Sequence, residues 1–366
     1  MAVLKLHRRR LGQLLLVVGL LLSGLLLWNA QSGPGSLNDQ LESARWRDAD
    51  LASPAAAADE EGDRAPVPRL VTAPAHCAEW IQVGLIFTKA DQHPKMKPNL
   101  LHTLKSLSAR TKECVNFNMF TDERSQAVID AVFAKAQLPN RFKVTSHAIA
   151  PMAEQMKSLI EILQVHFAPR KGTYYNDVLF FLTTTMHRSL PGLDRLIMLD
   201  IDVSVRDDLA QLARHFEHFS SEHVMGLSWE LSPVYRHVLT AYRERTGNVT
   251  AGGAPPAGFP GLNSGVVLLD LARMRRSERY NALLTPDEIS RRVSRYDGFK
   301  GHLGDQDLYT LLALDDPQLF YVLPCGWNRQ LCTFWRKVHP DVFDEYFRCD
   351  GPISIYHGNC QTEIPK

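Results

Sequence analysis

Arg195-Leu196-Ile197-Met198-Leu199-Asp200-Ile201-Asp202 is an aliphatic run that ends abruptly in two acids one residue apart. A short apolar run of this kind reads as a strand buried on both faces. Residues i and i+2 of an extended chain point the same way, so both carboxylates can address one cation. Hard oxygen ligands suit Mn²⁺ or Mg²⁺, ions that commonly bridge to phosphates. In open α/β sheets, ligands bind beyond the carboxyl ends of the strands, which is where this strand delivers its acids.

The flanking sequence supports that sheet. Upstream, Val83-Gly84-Leu85-Ile86-Phe87 reads as a buried strand, and Leu100, Leu101, Leu104 and Leu107 follow at helical spacing. Val115, Phe117 and Met119 alternate with asparagines as a strand does. Then come a helix around 127–136, a strand around 142–149 and a helix from about 153 to 167. Downstream, Asn263-Ser264-Gly265 leads into the strand Val266-Val267-Leu268-Leu269, and Gly265 permits close backbone approach. Gly304-Asp305-Gln306-Asp307 opens a helix carrying Leu308, Leu311 and Leu312, with Asp305 placed as an N-cap. Ile353-Ser354-Ile355-Tyr356 is a late strand ending in His357-Gly358-Asn359. The alternation predicts an α/β fold, a mixed, mostly parallel Rossmann-like sheet flanked by helices.

The rest of the 366 residues set the topology. Lys5, His7, Arg8, Arg9 and Arg10 precede an apolar run from Leu11 to Trp28. As a helix that run is roughly 27 Å long, enough to span a bilayer core. Trp28 suits the membrane boundary, and the arginines hold the start of the chain in the cytosol. The expected division is a cytosolic tail (1–10), a signal-anchor span (11–28), a luminal stem (29–78) and one catalytic domain (79–366). The stem is rich in Ala, Pro, Ser, Asp and Glu without an apolar period. Basic and acidic residues balance at 41 and 40, with no basic block in the folded part, which argues against a nucleic-acid partner. Asn248-Val249-Thr250 is a glycosylation sequon. Four of the six cysteines, Cys325, Cys332, Cys349 and Cys360, fall near the end, and read as two disulfides pinning the tail. There is no C-x-x-C pair to favour zinc.

Taken in order, the D-x-D after an aliphatic strand, N-S-G before a strand, D-Q-D on a helix and a late strand with H-G resemble glycosyltransferase family 8. The likeness runs from about Trp80 to the end. It implies a GT-A fold and a nucleotide-sugar-dependent transferase in which Asp200, Asp202 and His357 ligate Mn²⁺, with Mg²⁺ as the substitute. It further implies that Phe87, Thr88 and Lys89 lie by the uridine and ribose, and that Ile201, Ser264 and Asn359 also contact the donor. Gln306 falls beside the anomeric carbon; an amide is a poor nucleophile, which favours front-face transfer with retention. Trp327, Asn328, Arg329 and Trp335 precede the histidine in a stretch expected to meet the acceptor, since aromatic faces pack against sugar rings; packing of Trp327 and Trp335 under the disulfides is an equal alternative.

The closing His357-Gly358-Asn359-Cys360 and the cysteine-rich tail resemble family members that transfer xylose from UDP-xylose. Their acceptor is O-linked xylose-glucose on EGF-like repeats, as in Notch-type proteins. That likeness places the chain in the endoplasmic reticulum membrane as a single-pass type II protein, with the Golgi as the alternative. One departure stands out. The family's lysine after the late histidine is replaced by Asn359-Cys360-Gln361-Thr362, leaving Asn359 to donate to the diphosphate. Three other readings remain open here: a sister transferase using UDP-glucose or UDP-galactose, a haloacid-dehalogenase-type phosphatase, and a luminal binding protein without turnover. The phosphatase fits less well, because Ser204 stands where its motif takes Thr or Val and several strand–helix units precede the acids.

Overall fold

The computed structural model describes residues 77–168 and 179–365. The expected tail and span, and all but the last two residues of the stem, lie outside the described residues. No helix among the described residues is long and apolar enough to cross a membrane.

Seven strands form one sheet in the order β3-β2-β1-β4-β7-β6-β8. They are β1 (Ile81–Phe87), β2 (Val115–Thr121), β3 (Phe142–Ala148), β4 (Arg195–Leu199), β6 (Met225–Trp229), β7 (Leu262–Asp270) and β8 (Phe320–Leu323). β3, β2, β1 and β4 are mutually parallel, as the β-α-β alternation requires. β7 runs antiparallel to both β4 and β6, while β6 and β8 are parallel, so the sheet is mixed. The reversal matters to the site: β7 begins at the edge where β4 ends, and β6 finishes beside it.

The helices follow the apolar spacing. In α1 (Met96–Arg110), Leu100, Leu104 and Leu107 are fully buried against the sheet, each stabilising by about 2 kcal/mol. α2 (Glu123–Ala136) starts at Asp122, whose side chain accepts from the Ser125 N–H at 2.8 Å. The single helix expected from about 153 to 167 is instead two, α3 (Ile149–Gln155) and α4 (Lys157–Phe167). Between them Met156 is buried, and its N–H bonds back three residues to Ala153, closing the turn too tightly for a continuous α-helix. α5 (Pro286–Arg295) follows β7, and α6 (Asp305–Asp315) lies in the interior, buried from Asp305 to Ala313. Asp305 is the first residue of α6 rather than its cap. Gly304 occupies the cap position at φ +68°, a conformation that favours glycine.

A second sheet decides where the chain's end goes. β5 (Val203–Val205), directly after Asp202, pairs antiparallel with β10 (Ile355–His357), which pairs in parallel with β9 (Arg329–Gln330). His357 lies opposite Val203, one residue from the acids. Disulfides Cys325–Cys349 and Cys332–Cys360 pin this region, and Cys77–Cys114 ties the start of the head to β2.

Candidate active site

β4 carries Asp200 to the sheet edge, where the Asp200 N–H bonds the Gly265 carbonyl at 2.9 Å. The next turn is held from below by α1: the Thr103 hydroxyl reaches the carbonyls of Ile201 at 2.7 Å and Val203 at 2.8 Å. This fixes the backbone on both sides of Asp202 while leaving the carboxylates outward. The Asp200 side chain is 55% exposed and Asp202 23%, whereas His357 is buried at 4%.

The sequence elements converge. His357 Nε2 lies 3.1 Å from Asp200 Oδ2 and 3.6 Å from Asp202 Oδ1. One ligand atom from each of the three lies within 4.8 Å of the others. Burial pulls the imidazole pKa down, but its hydrogen bond to Asp200 and the charges of Asp202 and Asp200 outweigh this and raise it. Two carboxylates and an imidazole, the buried member rigid and the others open to solvent, suit a divalent cation of the Mn²⁺ type.

Gly265 has a more specific job than a flexible turn. A Cβ built there would fall 2.2 Å from His357 Cε1 and 2.4 Å from Nδ1. The N-S-G glycine is therefore the space the imidazole occupies.

Gln306, on the first turn of α6, is buried at 7% exposure. Its Nε2 donates to Glu230 Oε2 at 3.2 Å and to the Tyr235 hydroxyl at 3.4 Å, while its Oε1 accepts from the Ser264 N–H at 3.3 Å. The Ser264 hydroxyl donates to Asp305 Oδ1 at 3.1 Å, and Thr183 donates to the other Asp305 oxygen. Burial pushes Asp305 and Asp307 each up to about 7, despite their hydrogen-bond donors. Burial also raises Glu230, partly offset by bonds from Ser232 and Asn263.

Several of the residues expected around the donor are also part of the protein's own packing and hydrogen bonding. Phe87 points into the core with no exposure, because it shares the inward face of β1 with Val83 and Leu85. Thr88 is also buried; Lys89 is exposed, at φ 50°, its N–H bonded to Asp122 Oδ2 at 2.7 Å. The Ile201 side chain packs against the core cluster. Asn359 Oδ1 accepts from the N–H groups of Leu331 and Cys332, so its carbonyl braces the tail.

Of the four residues expected to meet an acceptor, Trp327, Asn328 and Trp335 are buried and Arg329 is half-buried. Trp327 belongs to the core, its ring centroid 5.9 Å from that of His215 in an edge-on arrangement. Trp335 is buried between His237 and His339. Arg329 bonds the Phe347 carbonyl and lies 4.1 Å over that ring. Asn328 is fully buried and accepts from His357 Nδ1 at 3.0 Å.

No protein-family model matches the chain. Human xyloside xylosyltransferase 1 is 38% identical over 291 residues, 77% of this chain and 74% of the human protein. The chain belongs to the xyloside xylosyltransferase family. The crystal structure of the apo form of the mouse family member superposes with a TM-score of 0.74 at 38% identity, covering 78% of this chain and 99% of that one. The human xylosyl- and glucuronyltransferase LARGE1 is more distant, 26% identical over 265 residues, 71% of this chain and 31% of LARGE1. Membership makes this chain a glycosyltransferase enzyme, with a mixed α/β sheet of the GT-A kind. For this xyloside xylosyltransferase family member, the sequence reading passed over Glu230. It directly follows the apolar strand β6, the placement that drew attention to Asp200, but a lone acid there has no partner in the sequence to mark it.

Proposed function

We propose that this enzyme transfers xylose from UDP-xylose, with retention, to O-linked xylose-glucose on EGF-like repeats. Asp200, Asp202 and His357 would hold Mn²⁺, and Ser264 and Asn359 would face the donor. The observation that carries the reading is the convergence of one exposed and one half-buried carboxylate from the middle of the head with a buried imidazole from near its end, within 4.8 Å. When bound, the cation would offset the negative charge that grows on the departing diphosphate. The chain's own residues support a front-face transfer. Gln306 offers only an amide, and Glu230 and Asp305 on either side are buried and hydrogen-bonded within the protein rather than presented as nucleophiles. The bond from the anomeric carbon to UDP would break as the acceptor hydroxyl attacks the same face and gives its proton to the leaving phosphate oxygen.

The three disulfides favour an oxidising compartment. Together with the basic residues before the apolar run 11–28, they support a type II protein of the endoplasmic reticulum membrane whose head is luminal. The test is a donor screen of the purified chain with UDP-xylose, UDP-glucose and UDP-galactose, with and without Mn²⁺, on an EGF-like repeat bearing xylose-glucose. UDP-xylose turnover that needs Mn²⁺ and disappears in Asp202→Asn is expected. Unchanged turnover in that variant would remove the metal site, and preference for a hexose donor would remove the xylose assignment.

A further inference from the structure

Glu230 follows β6 and is 4% exposed, and a continuous set of hydrogen bonds joins it to His357, one of the three metal-site residues. A carboxylate only accepts, so the groups against it must donate. Ser232 donates to Oε1 at 2.6 Å; Asn263 Nδ2 at 2.8 Å and Gln306 Nε2 at 3.2 Å both donate to Oε2. Asn263 then turns its carbonyl the other way, where it accepts from the Gly265 N–H at 3.0 Å and from Asn328 Nδ2 at 2.8 Å. A backbone N–H can only donate, so the Asn263 amide is fixed at both ends and cannot flip. Asn328 is left presenting Oδ1 to His357 Nδ1 at 3.0 Å. Nδ1 therefore carries a hydrogen, which leaves Nε2, 3.1 Å from Asp200 Oδ2, as the nitrogen that would face a cation.

Resting on the metal-dependent reading above, we propose that Glu230 is a positioning residue with two outputs. Through Asn263 and Asn328 it sets the tautomer and ring orientation of His357 for a divalent cation. Through Gln306 it holds the catalytic amide in the same frame. The relay needs an acceptor oxygen at Oε2, not a negative charge. A glutamine can supply one by turning its NH₂ to Ser232, whose hydroxyl rotates to accept. Outer partners of metal-ligating histidines typically matter by about 10–100-fold in metal affinity.

The experiment is Mn²⁺ titration of the full-length chain in detergent, free Mn²⁺ being read by electron paramagnetic resonance without donor or turnover. Glu230→Leu and Asn328→Leu should each weaken Mn²⁺ about tenfold or more. The double variant should be little weaker than either, because both cut the same chain, and Glu230→Gln should stay within about threefold of wild type. At saturating Mn²⁺, kcat should recover in Asn328→Leu but not in Glu230→Leu, which also frees Gln306. Wild-type affinity in Glu230→Leu, strictly additive losses, or Glu230→Gln as weak as Glu230→Leu would each overturn the relay. If Glu230→Leu does not fold, Asn328→Leu decides: unchanged affinity there overturns it too. A wild-type chain that binds no Mn²⁺ would count against the metal-dependent function itself, a separate failure.

Discussion

Adding one methyl group at Gly265 should disable the proposed metal site without replacing any of its three residues. A Cβ there would sit 2.2 Å from His357 Cε1, against ordinary contacts that begin at 3.4 Å. Gly265 is locked in β7, and its carbonyl is bonded to Asp200, so the strand resists shifting and the ring must give way. The ring must move about 1.2 Å to restore contact distance. Metal–ligand distances tolerate roughly 0.2 Å, so His357 would leave the coordination sphere. Nδ1 would also lose its bond to Asn328. The expected cost of Gly265→Ala is about 10–100-fold in Mn²⁺ affinity, about 1.4–2.8 kcal/mol. Titration of wild type, Gly265→Ala, His357→Ala and the double variant isolates the cause. The glycine substitution should cost little once the imidazole is gone, and a melting curve checks that the head still folds. Wild-type Mn²⁺ affinity in Gly265→Ala would refute the reasoning, as would an equal loss in the His357→Ala background.

Two further outcomes follow from buried polar groups. Asp305 is held near 7 by burial, far above its unfolded value, so between about pH 4 and 7 the native state binds more protons than the unfolded chain. Its contribution to stability is full below the unfolded pKa and is lost as pH rises through the folded one. Asp305→Asn removes that titration, while the Thr183 and Ser264 hydroxyls can turn to suit an amide. Its melting temperature should therefore rise relative to wild type from pH 5 to pH 8, and a constant gap would contradict the assignment. Thr103→Val leaves the Ile201 and Val203 carbonyls without their hydroxyl partner, at a cost of about 1–3 kcal/mol. A lowered melting temperature with weaker Mn²⁺ binding is expected; an unchanged melt would show that α1 does not brace this turn.

The sequence by itself determined the α/β fold class and two of the three residues of the proposed metal cluster. The aliphatic run of β4 must be buried, and a strand's two-residue period places Asp200 and Asp202 together wherever it ends. That information is local. His357 could be joined to the acids only through family resemblance, because its place depends on β5 pairing with β10, a contact between distant parts of the chain. The same limit explains why the tail aromatics looked available to an acceptor. The sequence left Trp327 and Trp335 free to meet an acceptor or to pack under the disulfides, and in the fold, beside Cys325–Cys349, Cys332–Cys360 and the β9–β10 pairing, both are buried. Glu230 and the two asparagines beyond it could be recognised only in three dimensions. A hydrogen-bond relay has no sequence period, and its donors and acceptors come from β6, β7 and the turn before β9. Backbone geometry within a few residues is written in local side-chain pattern; the orientation of an imidazole is set by partners the chain delivers from far away.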